Sequence, residues 1–102
     1  MDIMAPLGAK VVAMTDGIID DIYYDELMGT TVVIDHGNDI KSIYRNLMKT
    51  PVVEIGQQVR AGEVIGGVGD TAIAESGIEP HLHLEVVRRG EQIDPVELLP
   101  TL

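Results

Sequence analysis

Two histidines stand one residue apart in the stretch "EPHLHLEVV" (79–87). In a β-strand, residues two apart share a face, so His81, His83 and Glu85 point to one side. The residues between and after them then point to the core: Leu82, Leu84 and Val86. Two imidazoles about 7 Å apart can divide two tasks, because one can bind a metal while the other faces a substrate. Judged by spacing alone, a pair of exposed polar residues explains the pattern equally well.

Zinc catalysis adds a requirement that this pair alone does not meet. A catalytic zinc site needs three protein ligands and an open position for water. The chain has no Cys, so a thiolate site is excluded. His36 stands beside Gly37 in a turn signal, where a structural role is expected. Glu85 either orients His83 or is solvated, and the acidic residues of 20–26 either bind a cation or form a solvated surface.

The elements that must position these residues read as short strands. The segments rich in β-branched or alternating apolar residues are "KVVAM" (10–14), "IIDDIYY" (18–24), "TTVVID" (30–35), "IKSIYRNL" (40–47) and "HLHLEVVRR" (81–89). A hairpin turn is expected at 36–39, very short strands with tight corners at 51–69, and one helical turn near Pro95. No long helical periodicity appears. The sequence therefore predicts an all-β domain over 1–102, a compact antiparallel sheet or half-barrel.

Composition narrows the classes of partner. Hydrophobic residues make up 45% of the 102 residues, enough for a packed core, and no apolar run reaches membrane-spanning length. The net charge is −10, with 7 basic and 17 acidic residues. Such a surface repels phosphate backbones, so nucleic acid is not expected as a partner. Any membrane association is expected only through segments absent from this chain.

The motifs taken in order are similar to the LytM-type zinc endopeptidases, peptidase family M23. "EPHLHLEV" followed by "GEQIDPVELL" resembles the family's closing P-H-L-H-F-E-V, Gly and D-P. Three upstream segments resemble the preceding family patterns in the same order: "DIMAPLGAKVVAMTDGII", "TVVIDHGNDIKSIYRNL" and "IGQQVRAGEVIGGVGDT". The resemblance covers nearly the whole chain, and it implies the LytM-like, duplicated-hybrid-motif form of half-barrel.

The resemblance also implies roles for individual residues. It makes Asp2 and His83 zinc ligands, and it places the third ligand, a histidine, four positions before Asp2. The chain is therefore expected to begin inside the H-x-x-x-D motif and to hold zinc weakly or not at all. The family's acid–base pair corresponds to His81 and to the histidine of Y-x-H-L. Here that second position is Asn46. Asparagine cannot exchange a proton near neutral pH, so impaired catalysis is expected.

Three functions follow as alternatives. The first is an impaired M23 domain of the cell envelope, outside the cytoplasmic membrane, that binds another envelope protein or regulates a hydrolase; "DTAIAES" and the closing motif resemble the stage II sporulation protein Q type. The second is an active zinc endopeptidase that cuts peptidoglycan cross-bridges. The third is a biotinyl or lipoyl carrier, because "VEIGQQVRAGEVIG" also resembles that fold; its modified lysine would have to be Lys49.

Overall fold

The structure is a computed structural model that describes residues 1–72 and 80–95. These residues form β-strands and no α-helix. The strands are β1 (Asp2–Met4), β2 (Lys10–Val12), β3 (Gly17–Asp25), β4 (Gly29–Gly37), β5 (Ile40–Leu47), β6 (Gln58–Val59), β7 (Val64–Gly67), β8 (His81–Arg88) and β9 (Glu91–Ile93). Among the described residues, no helix is long and apolar enough to cross a membrane.

Seven strands form one antiparallel sheet in the order β1-β8-β5-β4-β3-β6, with β9 also paired to β8. Strands β2 and β7 form a separate two-stranded sheet. Three of the predicted segments, 30–35, 40–47 and 81–89, are neighbours, because β5 lies between β4 and β8. The curled antiparallel sheet confirms the predicted all-β half-barrel.

The strand boundaries correct two details. The chain turns at Asn38 and Asp39, whose φ angles are 53° and 62°, so His36 and Gly37 still belong to β4. Strands β1 and β9 were not predicted, because three residues are too few to show a periodicity. They are strands only because β8 pairs with them. The expected helical turn after Pro95 lies outside the described residues.

The core lies on one face of the large sheet, between it and the two-stranded sheet. Its fully buried members are aliphatic apart from Tyr44: Val11, Ile19, Val32, Ile34, Leu47, Ile65 and Val68. Leu84 and Val86 are buried as predicted, whereas Leu82 is half-buried and packs against the core from its margin. The β-branched residues of β4 are therefore packed against neighbours on the sheet surface, where β-branched side chains are most favourable.

Two glycines bring the segment after β7 against the ends of β4 and β5. A Cβ on Gly69 would collide with the backbone of Leu47, and the Gly69 N–H donates to the carbonyl of Asn46 over 2.8 Å. Gly29, with φ of 81°, leaves room for Thr71, whose hydroxyl accepts from the Thr30 N–H. The close approach places residues 69–72 beside Asn46.

Candidate functional site

One row of side chains crosses five adjacent strands on the face of the sheet opposite the core. Asp2 is paired with His83, and His83 is paired with Arg45 on its other side. Thr31 and Tyr23 are paired further along and contact the Arg45 side chain. We call these five residues the cross-strand row. It joins Asp2 to His83, which the sequence separates by 81 positions.

His83 lies between two carboxylates. Its Nδ1 is 2.8 Å from Oδ1 of Asp2, and its Nε2 is 3.0 Å from Oε2 of Glu85. A carboxylate oxygen only accepts, so each ring nitrogen of His83 that carries a proton donates to the carboxylate that it faces. Of the two possibilities left open for Glu85, the geometry favours orientation of the His83 ring over solvation.

The Asp2–His83 pair has the atom types of a zinc site but not its spacing. Two ligands bound to one zinc at about 2.1 Å, in tetrahedral geometry, stand about 3.4 Å apart. The observed 2.8 Å is a hydrogen-bond distance, so the two side chains would have to separate to admit a metal. Within residues 1–72 and 80–95, no three His, Cys, Asp or Glu residues form a metal-binding group. The described residues therefore do not make a complete zinc site.

His81 differs from the prediction. It was expected to line a groove beside His83, but its exposed fraction is 1%. Strand β1 covers this end of β8 on one side, where Met4 is paired with His81, and Asn46 contacts its carbonyl from the other. The residue is thus buried even though it shares the face of His83. Its expected exposure is therefore wrong, while its catalytic role stays a prediction.

Asn46 is buried, with 4% of its surface exposed, and both ends of its side chain are bonded. Its Nδ2 donates to the His81 carbonyl over 2.9 Å, and its Oδ1 accepts from the Ala72 N–H over 3.0 Å. Its backbone N–H donates to Met28, and its φ is 65°. Asparagine tolerates this left-handed conformation better than most residues. Asn46 thus links β5, β8 and the segment after β7.

The profile of Peptidase family M23 matches residues 1–95. The chain belongs to peptidase family M23. This confirms the family resemblance, and the match favours the two M23 alternatives over the carrier reading.

Curated relatives of the M23 domain include both enzymes and an activator. The DD-carboxypeptidase/endopeptidase Mpg of Neisseria meningitidis is 37% identical over 102 residues, covering 99% of this chain and 23% of the relative. The peptidoglycan DD-endopeptidase ShyC of Vibrio cholerae is 32% identical, covering 92% and 21%. The murein hydrolase activator EnvC of Escherichia coli is 33% identical, covering 93% and 22%. The chain therefore spans less than a quarter of the length of each.

Solved structures share the fold. A zinc-containing peptidase from Vibrio cholerae superposes with a TM-score of 0.82 at 32% identity, covering 91% of this chain and 28% of that one. A chain of the SpoIIQ–SpoIIIAH pore-forming complex superposes with a TM-score of 0.74 at 26% identity, covering 83% and 52%. The same half-barrel thus occurs in a zinc peptidase and in a complex.

Arg45 is the site residue that sequence reasoning missed. Its Nε donates to Oε2 of Glu85 over 2.7 Å, the oxygen that also contacts His83. Burial lowers the pKa of the Arg45 guanidinium, but the hydrogen bonds and charges of Glu85 and Tyr23 together outweigh burial, and the net pKa is raised. The sequence of the M23 domain did contain one signal for Arg45. It lies between Tyr44 and Asn46 in a strand, so its side chain must point to the opposite face from theirs.

Tyr44 and His36 belong to a polar chain through the sheet. The Met14 N–H donates to the Tyr44 hydroxyl over 3.0 Å, and that hydroxyl is 2.9 Å from Ser42 Oγ. His36 Nε2 is 2.7 Å from the same Oγ, while its Nδ1 donates to the carbonyl of Asp16 over 2.8 Å. Burial raises the pKa of Tyr44. Both ring nitrogens of His36 are engaged, which agrees with a structural role.

The acidic residues of β3 have local partners. Asp25 Oδ1 accepts from the N–H groups of Leu27 and Met28, each over 2.8 Å, and Asp20 pairs with Lys41 at 3.0 Å. The backbone hydrogen bonds from Met28 and Leu27 lower the pKa of Asp25. Since the described carboxylates form no metal-binding group, a solvated acidic surface explains this run better than a cation site.

Proposed function

We propose that this M23 domain acts outside the cytoplasmic membrane as a catalytically impaired module that regulates a cell-wall hydrolase or binds another envelope protein. The observation that carries the proposal is the bonding of Asn46, whose amide is used on both ends to hold β8 and residue 72. The family resemblance implies that the residue at this position in an active member exchanges a proton. Asn46 cannot do so, and losing one acid–base group typically costs about 10²- to 10⁴-fold in rate.

The location and the type of partner are supported by the relatives. ShyC is named as a peptidoglycan DD-endopeptidase, EnvC as a murein hydrolase activator and Mpg as a DD-carboxypeptidase/endopeptidase. The names of ShyC and EnvC support work at the cell wall. The net charge of −10 disfavours an anionic wall polymer as the main ligand and favours a protein with a basic surface. A resemblance to the stage II sporulation protein Q type is consistent with the SpoIIQ–SpoIIIAH fold similarity.

An active zinc endopeptidase is the second candidate, and a specific observation favours it. Asp2 and His83, the two residues assigned as zinc ligands by resemblance, are brought to 2.8 Å by the pairing of β1 with β8. We propose that the metal is bound in a longer chain that adds the upstream histidine. When bound, zinc would supply an activated water at neutral pH. Glu85 and Arg45 would then hold the His83 ring in place.

The test is dye release from labelled peptidoglycan with zinc supplied. It compares an N-terminally extended wild-type chain with its Asn46→His and His81→Ala variants. We expect little or no release from the wild type, and a rise of roughly 10²-fold or more from Asn46→His. Robust wild-type release that His81→Ala abolishes would overturn the impaired reading and establish the enzyme. Melting curves of each variant show that it is folded, since Asn46→His must give up two hydrogen bonds.

A further inference from the structure

The guanidinium of Arg45 stands at the middle of the cross-strand row. Its Nε donates to Glu85, and its Nη1 lies 3.4 Å from the hydroxyls of both Tyr23 and Thr31. Its Nη2 makes no hydrogen bond to any described residue. The side chain keeps 16% of its surface exposed. A guanidinium only donates, so Nη2 offers two N–H groups to an oxygen from outside the row.

The row has the dimensions of an extended peptide. Five neighbouring strands at 4.7–4.9 Å spacing make it about 19 Å long, the length of about six residues in extended conformation. Arg45 is the direct neighbour of His83 in this row. An oxygen held by Nη2 therefore belongs to a ligand that also passes the Asp2–His83 pair.

The charges beside Arg45 determine which kind of ligand oxygen Nη2 can bind. Oε2 of Glu85 is 2.7 Å from Nε, and Oδ2 of Asp25 is 3.8 Å from Nη1. Two carboxylates thus surround one guanidinium, and their sum is negative. A third carboxylate brought to Nη2 is repelled by both, whereas a neutral carbonyl keeps the hydrogen bond without that repulsion.

We propose that Nη2 of Arg45 donates to a neutral carbonyl or carboxamide of a peptidoglycan stem peptide lying across the row, and that Glu85 and Asp25 exclude a free carboxylate from that position. The M23 domain thereby prefers stem peptides whose carboxyl groups are amidated. The inference rests on the proposed function only in placing the domain at the cell wall, and amidation removes the negative charge that disfavours a wall polymer at this acidic surface. It holds whether or not the bound peptide is cut.

The experiment measures binding of two cross-linked stem-peptide dimers by isothermal titration calorimetry. One dimer has free carboxyl groups and the other is amidated. We expect the amidated dimer to bind the wild type about 10-fold tighter, a difference of about 1.4 kcal/mol. Arg45→Met should weaken binding of the amidated dimer about 10-fold or more, because a hydrogen bond to a charged donor is lost. Arg60→Met, which removes an exposed arginine outside the row, should leave both affinities unchanged.

A second pair of variants tests the exclusion and does not depend on Arg45. Asp25→Asn keeps an oxygen that accepts from the Leu27 and Met28 amides but removes the negative charge. It should therefore reduce the difference in affinity between the amidated and the free-carboxyl dimer. Asp20→Asn removes the same charge from β3, where Asp20 pairs with Lys41 of β5, and should leave the difference in affinity unchanged. If Arg45→Met fails to fold by circular dichroism, Arg45→Lys replaces it and should show the same loss.

The outcomes separate this inference from the proposed function. Equal binding of both dimers, or binding that Arg45→Met leaves intact, overturns the inference. Failure of the wild type to bind either dimer also overturns it. A further control is a peptide of L-amino acids with an acetylated N-terminus and an amidated C-terminus. If it binds as tightly as the amidated dimer, the ligand is a polypeptide and not peptidoglycan, which also overturns the inference. Dye release measures hydrolysis alone, so it decides the proposed function separately.

Discussion

The side chain of Asn46 donates a hydrogen bond of 2.9 Å to the backbone carbonyl of His81. Asn46, at one of the two predicted acid–base positions, therefore contacts the strand that carries the other, His81. Because both residues are buried, with exposed fractions of 4% and 1%, the contact is shielded from water. Asn46 is thus a structural residue of the site, and this property can be measured apart from activity.

Replacing Asn46 by Ala should destabilise the domain by roughly 2–5 kcal/mol, because the His81 carbonyl and the Ala72 N–H lose their partner in a buried place and alanine disfavours positive φ. Urea unfolding measures this loss. Asn38→Ala is the matched control, since Asn38 has a φ of 53° but lies exposed in the turn. We expect the control to cost about 1 kcal/mol. Equal losses would show that conformation, rather than hydrogen bonding, explains Asn46.

The chain of 102 residues should retain less than one zinc per molecule after dialysis against a mild chelator. The described residues supply two of the usual three protein ligands, Asp2 and His83, and these are closed on each other at 2.8 Å. Metal analysis after dialysis measures the retained zinc, with His83→Ala and His36→Ala as the paired variants. The prediction would be contradicted if the wild type and His36→Ala each retained one zinc per molecule while His83→Ala retained none.

Asp25 should contribute to the loss of stability of the folded domain at acid pH. Hydrogen bonds from the Met28 and Leu27 N–H groups lower the pKa of its folded-state carboxyl below the unfolded value of 3.8. A lowered pKa means that the contribution is present above about pH 4 and is lost as the pH falls through the folded-state pKa. Thermal melts between pH 2 and 7 should show a shallower acid limb for Asp25→Asn than for the wild type. An unchanged limb would refute the contribution.

Tyr44→Phe should destabilise the domain by about 1–3 kcal/mol at neutral pH, because the Met14 N–H and the Ser42–His36 pair lose the buried hydroxyl. Burial raises the pKa of Tyr44, so wild-type stability is present below about pH 10 and falls as the pH rises through the folded-state pKa. The variant should lose this alkaline dependence. Tyr24→Phe removes an exposed hydroxyl, so its free energy of unfolding should match that of the wild type both at neutral pH and above about pH 10.

The sequence by itself determined the strands whose pattern is local. The β-branched run of β4 and the alternation of β5 and β8 were readable, because side-chain direction in a strand depends only on the neighbouring residues. A turn within 36–39 was also readable, although its exact position at Asn38 and Asp39 was not. It also determined that residue 46 cannot exchange a proton, since that is a property of asparagine itself. The order of the motifs indicated the family, which the match over residues 1–95 confirmed.

Only the tertiary structure decided how these strands meet. The pairing of β1 with β8 brings Asp2 to His83, and the pairing of β5 with β8 places Arg45 beside His83, where it reaches Glu85. The burial of His81, whose exposed fraction is 1%, is likewise absent from the pattern of its own strand. Lateral register joins segments tens of residues apart, and it depends on packing of the whole sheet rather than on the pattern within one strand.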